Sequence, residues 1–274
     1  MTVLVDEIGA IAAENVATIL TNAPAQAWAK LVEGGWAALG ADPDADLGIR
    51  DLQEIARAAG RFDTATPLVP TLLAGRWFRP DPQTLAGGVS LALPRGDEVV
   101  VSYVTDTVVV LDARGKPLPH DLGGARREEF SQVMPLAVFE APVAGPALAA
   151  EHAAELRAVL AAVAVGCVDA VADRSVEWVQ TREQFGRPIK AFQAVRHHLA
   201  NLHIAREQAW TAAIAGAHEP ETALTWARQA CELATTAIEL AIQVHGGVGF
   251  TEEVGLHHFL NHVLQIESLL GAAR

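Results

Sequence analysis

The chain has 274 residues, 51% of them hydrophobic, with mean hydropathy +0.22. That is enough apolar material for a large core, and it excludes a disordered chain. Twenty Lys and Arg against 33 Asp and Glu give a formal net charge of -13. This leaves no basic surplus to displace phosphate counterions, excludes a nucleic-acid partner, and suits an anionic membrane poorly.

From Val3 to Phe78 the apolar spacing is helical. Ile8, Ile11, Ala12 and Val16 share one face, followed by Trp28, Leu31, Trp36 and Leu39, then by Leu52, Ile55 and Ala56. The segment ADPDADLG, from Ala41 to Gly48, predicts a turn, with Asp51 capping the next helix. Acidic residues near the start (Asp6, Glu7) and the lack of a basic run point away from a signal peptide.

From Arg79 to Gly145 the period changes to two. SLALP, DEVVVSYV (which includes Tyr103) and TVVVLDA predict short strands, separated by turns at Arg95-Gly96-Asp97 and Ala113-Arg114-Gly115. Another strand is expected within Val133–Val143, giving a sheet of four or five strands. Gly87-Gly88 precedes a strand and predicts a turn, not a nucleotide loop.

From Pro146 onward the pattern is helical again. Long helices are expected over Ala147–Gln180, from Pro188 to His218, from Glu219–Glu221 to Val244, and from Gly255 to Leu270. The longest apolar run, Ala158 to Val171, is broken by Asp169 and is short for a bilayer span, so a cytoplasmic location is expected. Cys167 and Cys231 lie in apolar helical runs, as buried free thiols do. The expected fold is thus mainly α with a small β domain: an N-terminal helical domain (1–78), a reduced middle β domain (79–145) and a C-terminal four-helix bundle (146–274).

The segment TREQFGRPIKAFQ interrupts the bundle between its first two helices. Gly186 and Pro188 explain a stop and a restart, and Arg182 complements the dipole of the ending helix. Two helices later comes Gln243-Val-His-Gly246-Gly247-Val-Gly249-Phe250-Thr251. The two motifs at this separation resemble the R-x-x-F-G-x-x-I-x-x-x-Q and Q-x-x-G-G-x-G-[FY] motifs of the acyl-CoA dehydrogenase family. Leu31-Val-Glu-Gly-Gly-Trp36-Ala-Ala-Leu-Gly and DLQEIARAAGR, from Asp51 to Arg61, are similar to its N-terminal helical domain.

That resemblance implies FAD as cofactor. Arg182, Gln184, Phe185, Phe192, Gln193, Gln243, Gly246 and Gly247 are the matching positions. Arginine meets a diphosphate with paired donors, glutamine amides bond adenine or diphosphate edges, and a diglycine backbone permits close approach. In the family these contacts reach across a subunit interface to a flavin held mainly by the neighbour.

The resemblance also implies a glutamate that takes a proton from Cα while hydride leaves Cβ for flavin N5. Here the main base position is Leu270 and the minority position is Leu156. Glu267 and Glu155 stand nearby as weak substitutes whose ordinary reading is a solvated surface carboxylate. The family's flavin-ring loop has no counterpart between Arg79 and Gly145, where APVAG (141–145) is a faint echo in the wrong place. The chain therefore resembles the smaller, non-catalytic subunit of heteromeric (α2β2) acyl-CoA dehydrogenases of bacterial steroid breakdown. A larger catalytic subunit would then be its partner and an acyl-CoA the substrate. A degenerate member that is only a structural or regulatory partner, and an active homo-oligomer with a displaced base, remain open alternatives. His258 and His262, with His257 and Glu253 near, have a spacing that can bind metal, yet no matching pair closes a site, and none is expected.

Overall fold

The computed structural model describes residues 7–95, 98–103, 107–118, 126–128, 134, 136–140 and 147–272. The N-terminal helices are α1 (Glu7–Asn22), α2 (Ala27–Glu33), α3 (Ile49–Gly60), α4 (Leu68–Phe78) and the short α5 (Pro82–Gly87). On α1 the buried stripe is Gly9, Ala12, Val16 and Leu20. Ile11, expected on that face, is 44% exposed, because Gly9 lets the backbone of α1 approach Asp51 and rotates the stripe. Asp51 is the third residue of α3 rather than the residue before it, and its carboxylate accepts the Gly48 N–H at 2.8 Å. Helix α5 falls in the zone expected to be strand, with Asp81 capping it through the amides of Gln83 and Thr84.

The sheet comprises β1 (Val89–Arg95), β2 (Glu98–Ser102), β3 (Val109–Leu111), β4 (Arg126–Glu128) and β5 (Leu136–Glu140). Its order is β3-β1-β2-β5-β4, with β1 and β3 parallel and the other neighbours antiparallel. The two-residue period has a direct consequence here. Leu91, Leu93, Val100, Leu111, Leu136 and Val138 join the main core, whereas Ala92, Val99, Val101, Val110, Ala137 and Phe139 form a separate cluster on the other face. Tyr103, expected within a strand, instead lies just beyond β2 at φ 54°. The expected turn residues Gly96 and Asp97, and the APVAG segment, lie outside the described residues.

The bundle is built from α6 (Ala150–Thr181), α7 (Gln193–His218), α8 (Ala223–His245) and α9 (Leu256–Ala272). Helix α6 is its axis. From Ala158 to Ala172 every residue is buried, because α3, α7, α8 and α9 surround it. An apolar run that long reads as a buried core helix, and among the described residues no helix is long and apolar enough to cross a membrane.

Helix α3 docks on α6 at a glycine crossing. A Cβ at Gly60 would run into the carbonyl oxygen of Val163, and one at Gly166 into that of Arg57. Beside the crossing Asp169, the one charge inside the apolar run, receives Nε and Nη2 of Arg57 at 2.7 and 3.0 Å. Burial opposes the charge on Arg57, but the hydrogen bond and charge of Asp169 outweigh it and raise the arginine's pKa. Gln53 completes the junction by donating to the carbonyls of Ala158 and Ala213. Both cysteines are free and buried, as their sequence setting predicts.

Candidate functional site

The joint between α6 and α7 is a miniature hairpin. Glu183 pairs with Pro188 and Gln184 with Arg187, leaving Phe185 and Gly186 as a two-residue turn. Both have positive φ, 53° and 75°. This is the twist that joins tightly paired antiparallel strands, and it normally recruits Asn and Gly. A phenylalanine in the left-handed region costs roughly 1–2 kcal/mol, and this one is 92% exposed. Arg182 sits one residue past α6 with extended backbone; its N–H donates to Trp178 and its carbonyl accepts from Ile189.

The diglycine motif reaches the same end of the bundle. Helix α8 stops at His245, and Gly246 adopts φ 67°, ψ -144°, a conformation open essentially to glycine alone. Side chains link the two motifs. The Arg182 guanidinium carbon lies 5.7 Å from the centroid of the Trp178 ring, and that ring stacks on His245 at 5.2 Å. Val179, Ile189 and Val244 pack beneath, with Phe192 alongside. Burial lowers the pKa of His245, and the Ala241 carbonyl, which can only accept, fixes its proton on Nδ1.

The structure thus gathers the positions expected to hold FAD at one end of the bundle. Arg182, Gln184, Phe185, Gln193, Gln243, Gly246 and Gly247 are exposed there. Phe192 is half-buried, edge-on to Phe185 at 5.9 Å and beneath the guanidinium of Arg187 at 4.4 Å. A Cβ at Gly246 or Gly247 would meet nothing within 4 Å, so the space beside that backbone is open. An exposed guanidinium, amide side chains and a bare glycine backbone on one open face fit the diphosphate and adenosine half of FAD.

The expected base positions lie elsewhere and are apolar. Leu156 is 4% exposed and Leu270 fully buried. Leu156 lines a cleft between sheet and bundle with Val69, Leu91, Leu93, Leu160 and Leu269; its polar members are Ser102, Tyr103 and His262. No carboxylate lines it among the described residues. Burial pushes the Tyr103 hydroxyl well above its ordinary value and His262 down to about 4. His262 lines this cleft, a placement that spacing alone does not report. Its Nδ1 lies 3.6 Å from Cys167 Sγ, and its buried Nε2 has no hydrogen-bond partner among the described residues. A nitrogen so hard to protonate is a poor proton acceptor.

Two readings need correction. Glu155 is not a solvated carboxylate. It receives Arg76 Nε and Nη2 at 3.0–3.2 Å and Trp77 Nε1 at 2.6 Å, and it lines a different hollow beside Glu151 and Pro220. The histidines do not share a face as spacing suggested. His262 turns inward, whereas His257 and His258 meet Glu252, not Glu253. Glu267 is exposed on α9, and its charge adds to the burial that pushes the Cys231 thiol up to about 12.

The profile described as acyl-CoA dehydrogenase, C-terminal domain, matches residues 144–273. Acyl-CoA dehydrogenase IpdE2 of Mycobacterium tuberculosis is 36% identical over 117 residues, 42% of this chain and 37% of that protein. Acyl-CoA dehydrogenase FadE34 of the same organism is 36% identical over 202 residues, 68% of this chain and 26% of that protein. The chain therefore spans well under half the length of these relatives. Among solved structures, a chain of the ChsE4-ChsE5 complex from Mycobacterium tuberculosis superposes over 100% of this chain and 96% of its own, with TM-score 0.76 at 20% identity. Residues 144–273 therefore form an acyl-CoA dehydrogenase C-terminal domain, and the chain as a whole is similar in fold to members of that family.

Proposed function

We propose that this chain is the smaller, non-catalytic subunit of a heteromeric, FAD-dependent acyl-CoA dehydrogenase, completing the flavin site of a larger catalytic partner. One contrast carries the reading. The clamp residues around Arg182 and Gly246-Gly247 are intact and exposed, whereas both base positions, Leu156 and Leu270, are buried leucines. FAD would supply the hydride acceptor. This chain's part is to hold the diphosphate with Arg182, to admit the adenosine beside Gly246-Gly247, and to shield that end from water with Phe185 and Phe192. The partner would supply the carboxylate and the acyl-CoA pocket. The ChsE4-ChsE5 complex, a relative in fold, supports a partnered assembly, and a steroid-type acyl-CoA is part of the same proposal.

Expressing the chain alone and with its genomic neighbour tests this directly. The expected result is a yellow complex that oxidises an acyl-CoA, with turnover unchanged by Glu155→Gln or Glu267→Gln in this chain. A lone chain that binds one FAD and turns over overturns the proposal. A colourless but stable complex assigns the chain a purely structural role.

A further inference from the structure

The turn after the diglycine motif carries a second polar group. The amides of Val254 and Gly255 both donate to the Thr251 carbonyl, at 3.3 and 3.0 Å, and Gly255 at φ 66° turns the chain into α9. His257 and His258 occupy the first turn of that helix. Nε2 of His257 lies 3.1 Å from one Glu252 oxygen and Nε2 of His258 3.0 Å from the other. Consecutive helical side chains point about 100° apart, yet both rings aim at one carboxylate, with centroids 4.1 Å apart. One ligand atom from each of the three residues falls within 4.8 Å of the others.

We propose that Glu252, His257 and His258 bind a divalent metal ion of the zinc type. Two imidazole nitrogens and a carboxylate oxygen select zinc and its neighbours over magnesium or calcium, which favour all-oxygen shells. Tetrahedral zinc with bonds of about 2.0–2.2 Å separates its ligands by roughly 3.3–3.6 Å, so small side-chain rotations close the present spacing around an ion. The imidazoles are about one-quarter exposed, at 25% and 24%, and the Glu252 side chain 81%. The fourth position therefore opens to solvent and takes water. Arg174 already fastens this turn to α6 through the Val254 carbonyl at 3.3 Å. The metal is a second fastening, joining the segment after Gly246-Gly247 to α9.

The competing arrangement is a carboxylate that merely accepts two imidazole N–H bonds. Chelator-stripped full-length chain, titrated calorimetrically with Zn²⁺ alone, separates the two. The expected result is one ion per chain, weakened at least about tenfold by Glu252→Gln or His258→Gln and unchanged by His203→Gln at an exposed site on α7. Cobalt should give the visible absorption of a four-coordinate nitrogen and oxygen site. Zinc binding that is absent, or unaltered in the Glu252→Gln variant, overturns the proposal. Glu252 is exposed, so that variant tests the ligand set without disturbing the core.

Discussion

Trp178 and His245 stack with ring centroids 5.2 Å apart and planes inclined by 20°, tying the end of α6 to the end of α8. Arg182 lies against the indole, so the arginine and the diglycine turn share one support. Arg182→Ala should leave the melting temperature of the chain nearly unchanged, because the side chain is exposed. Flavin retention by the assembled complex should fall about 10–100-fold, the worth of a charge-assisted contact of about 1.5–3 kcal/mol. Flavin fluorescence released on dilution measures it.

Asp169 accepts two hydrogen bonds from Arg57 while 6% of its side chain is exposed. Asp169→Ala would leave Arg57 without its counter-charge, with Arg61 and Arg206 also near, at 3.9 and 3.8 Å from the carboxylate. A loss of about 3 kcal/mol is expected, at the lower end for breaking a buried pair because Arg57 retains some contact with solvent. Urea unfolding midpoints check this.

His262 titrates near 4 in the folded chain against 6.5 when unfolded. As pH falls the unfolded chain takes up the proton first. Stability is therefore complete above about 6.5, declines by up to about 1.4 kcal/mol per pH unit below it, and levels off near 4. The total is about 3 kcal/mol. His262→Leu should remove this part of the pH dependence, as read from unfolding midpoints across that window.

The glycine crossing predicts a steric effect. Gly166→Val should push α3 away from α6, because even a Cβ has no room against the Arg57 carbonyl. A loss of more than about 3 kcal/mol is expected, or failure to accumulate as soluble protein. Gly271→Ala, where a Cβ meets nothing within 4 Å, is the neutral control. Circular dichroism melts distinguish the pair.

Much of this arrangement is legible in the sequence because it depends on period. The alternation in β1, β2 and β5 sorts side chains onto two faces, and the helical spacing of α7 to α9 separates a buried face from an exposed one; both are visible in the string. The proposed flavin clamp is legible as two spaced motifs. What escaped depends on rotation and partners. Ile11 faces solvent because Gly9 sets the rotation of α1, a tertiary fact. Glu155 looks like any surface carboxylate until Arg76 and Trp77, nearly eighty positions earlier, are folded against it. His258 and His262 have matching spacing but opposite surroundings, which i,i+4 geometry alone does not report.

The crossing of Gly60 and Gly166 also sets an order of events during synthesis. The carbonyl that Gly60 abuts belongs to Val163, and Gln53 finds its bonds at Ala158 and Ala213. At about 5–20 residues per second, α3 waits roughly 5–20 s after leaving the ribosome before its docking surface exists. Helix α1 already packs against α3, but the face of α3 that meets α6 stays uncovered through that interval. Slowing elongation between α3 and α6 should therefore lengthen the exposure of that face and lower the yield of folded chain.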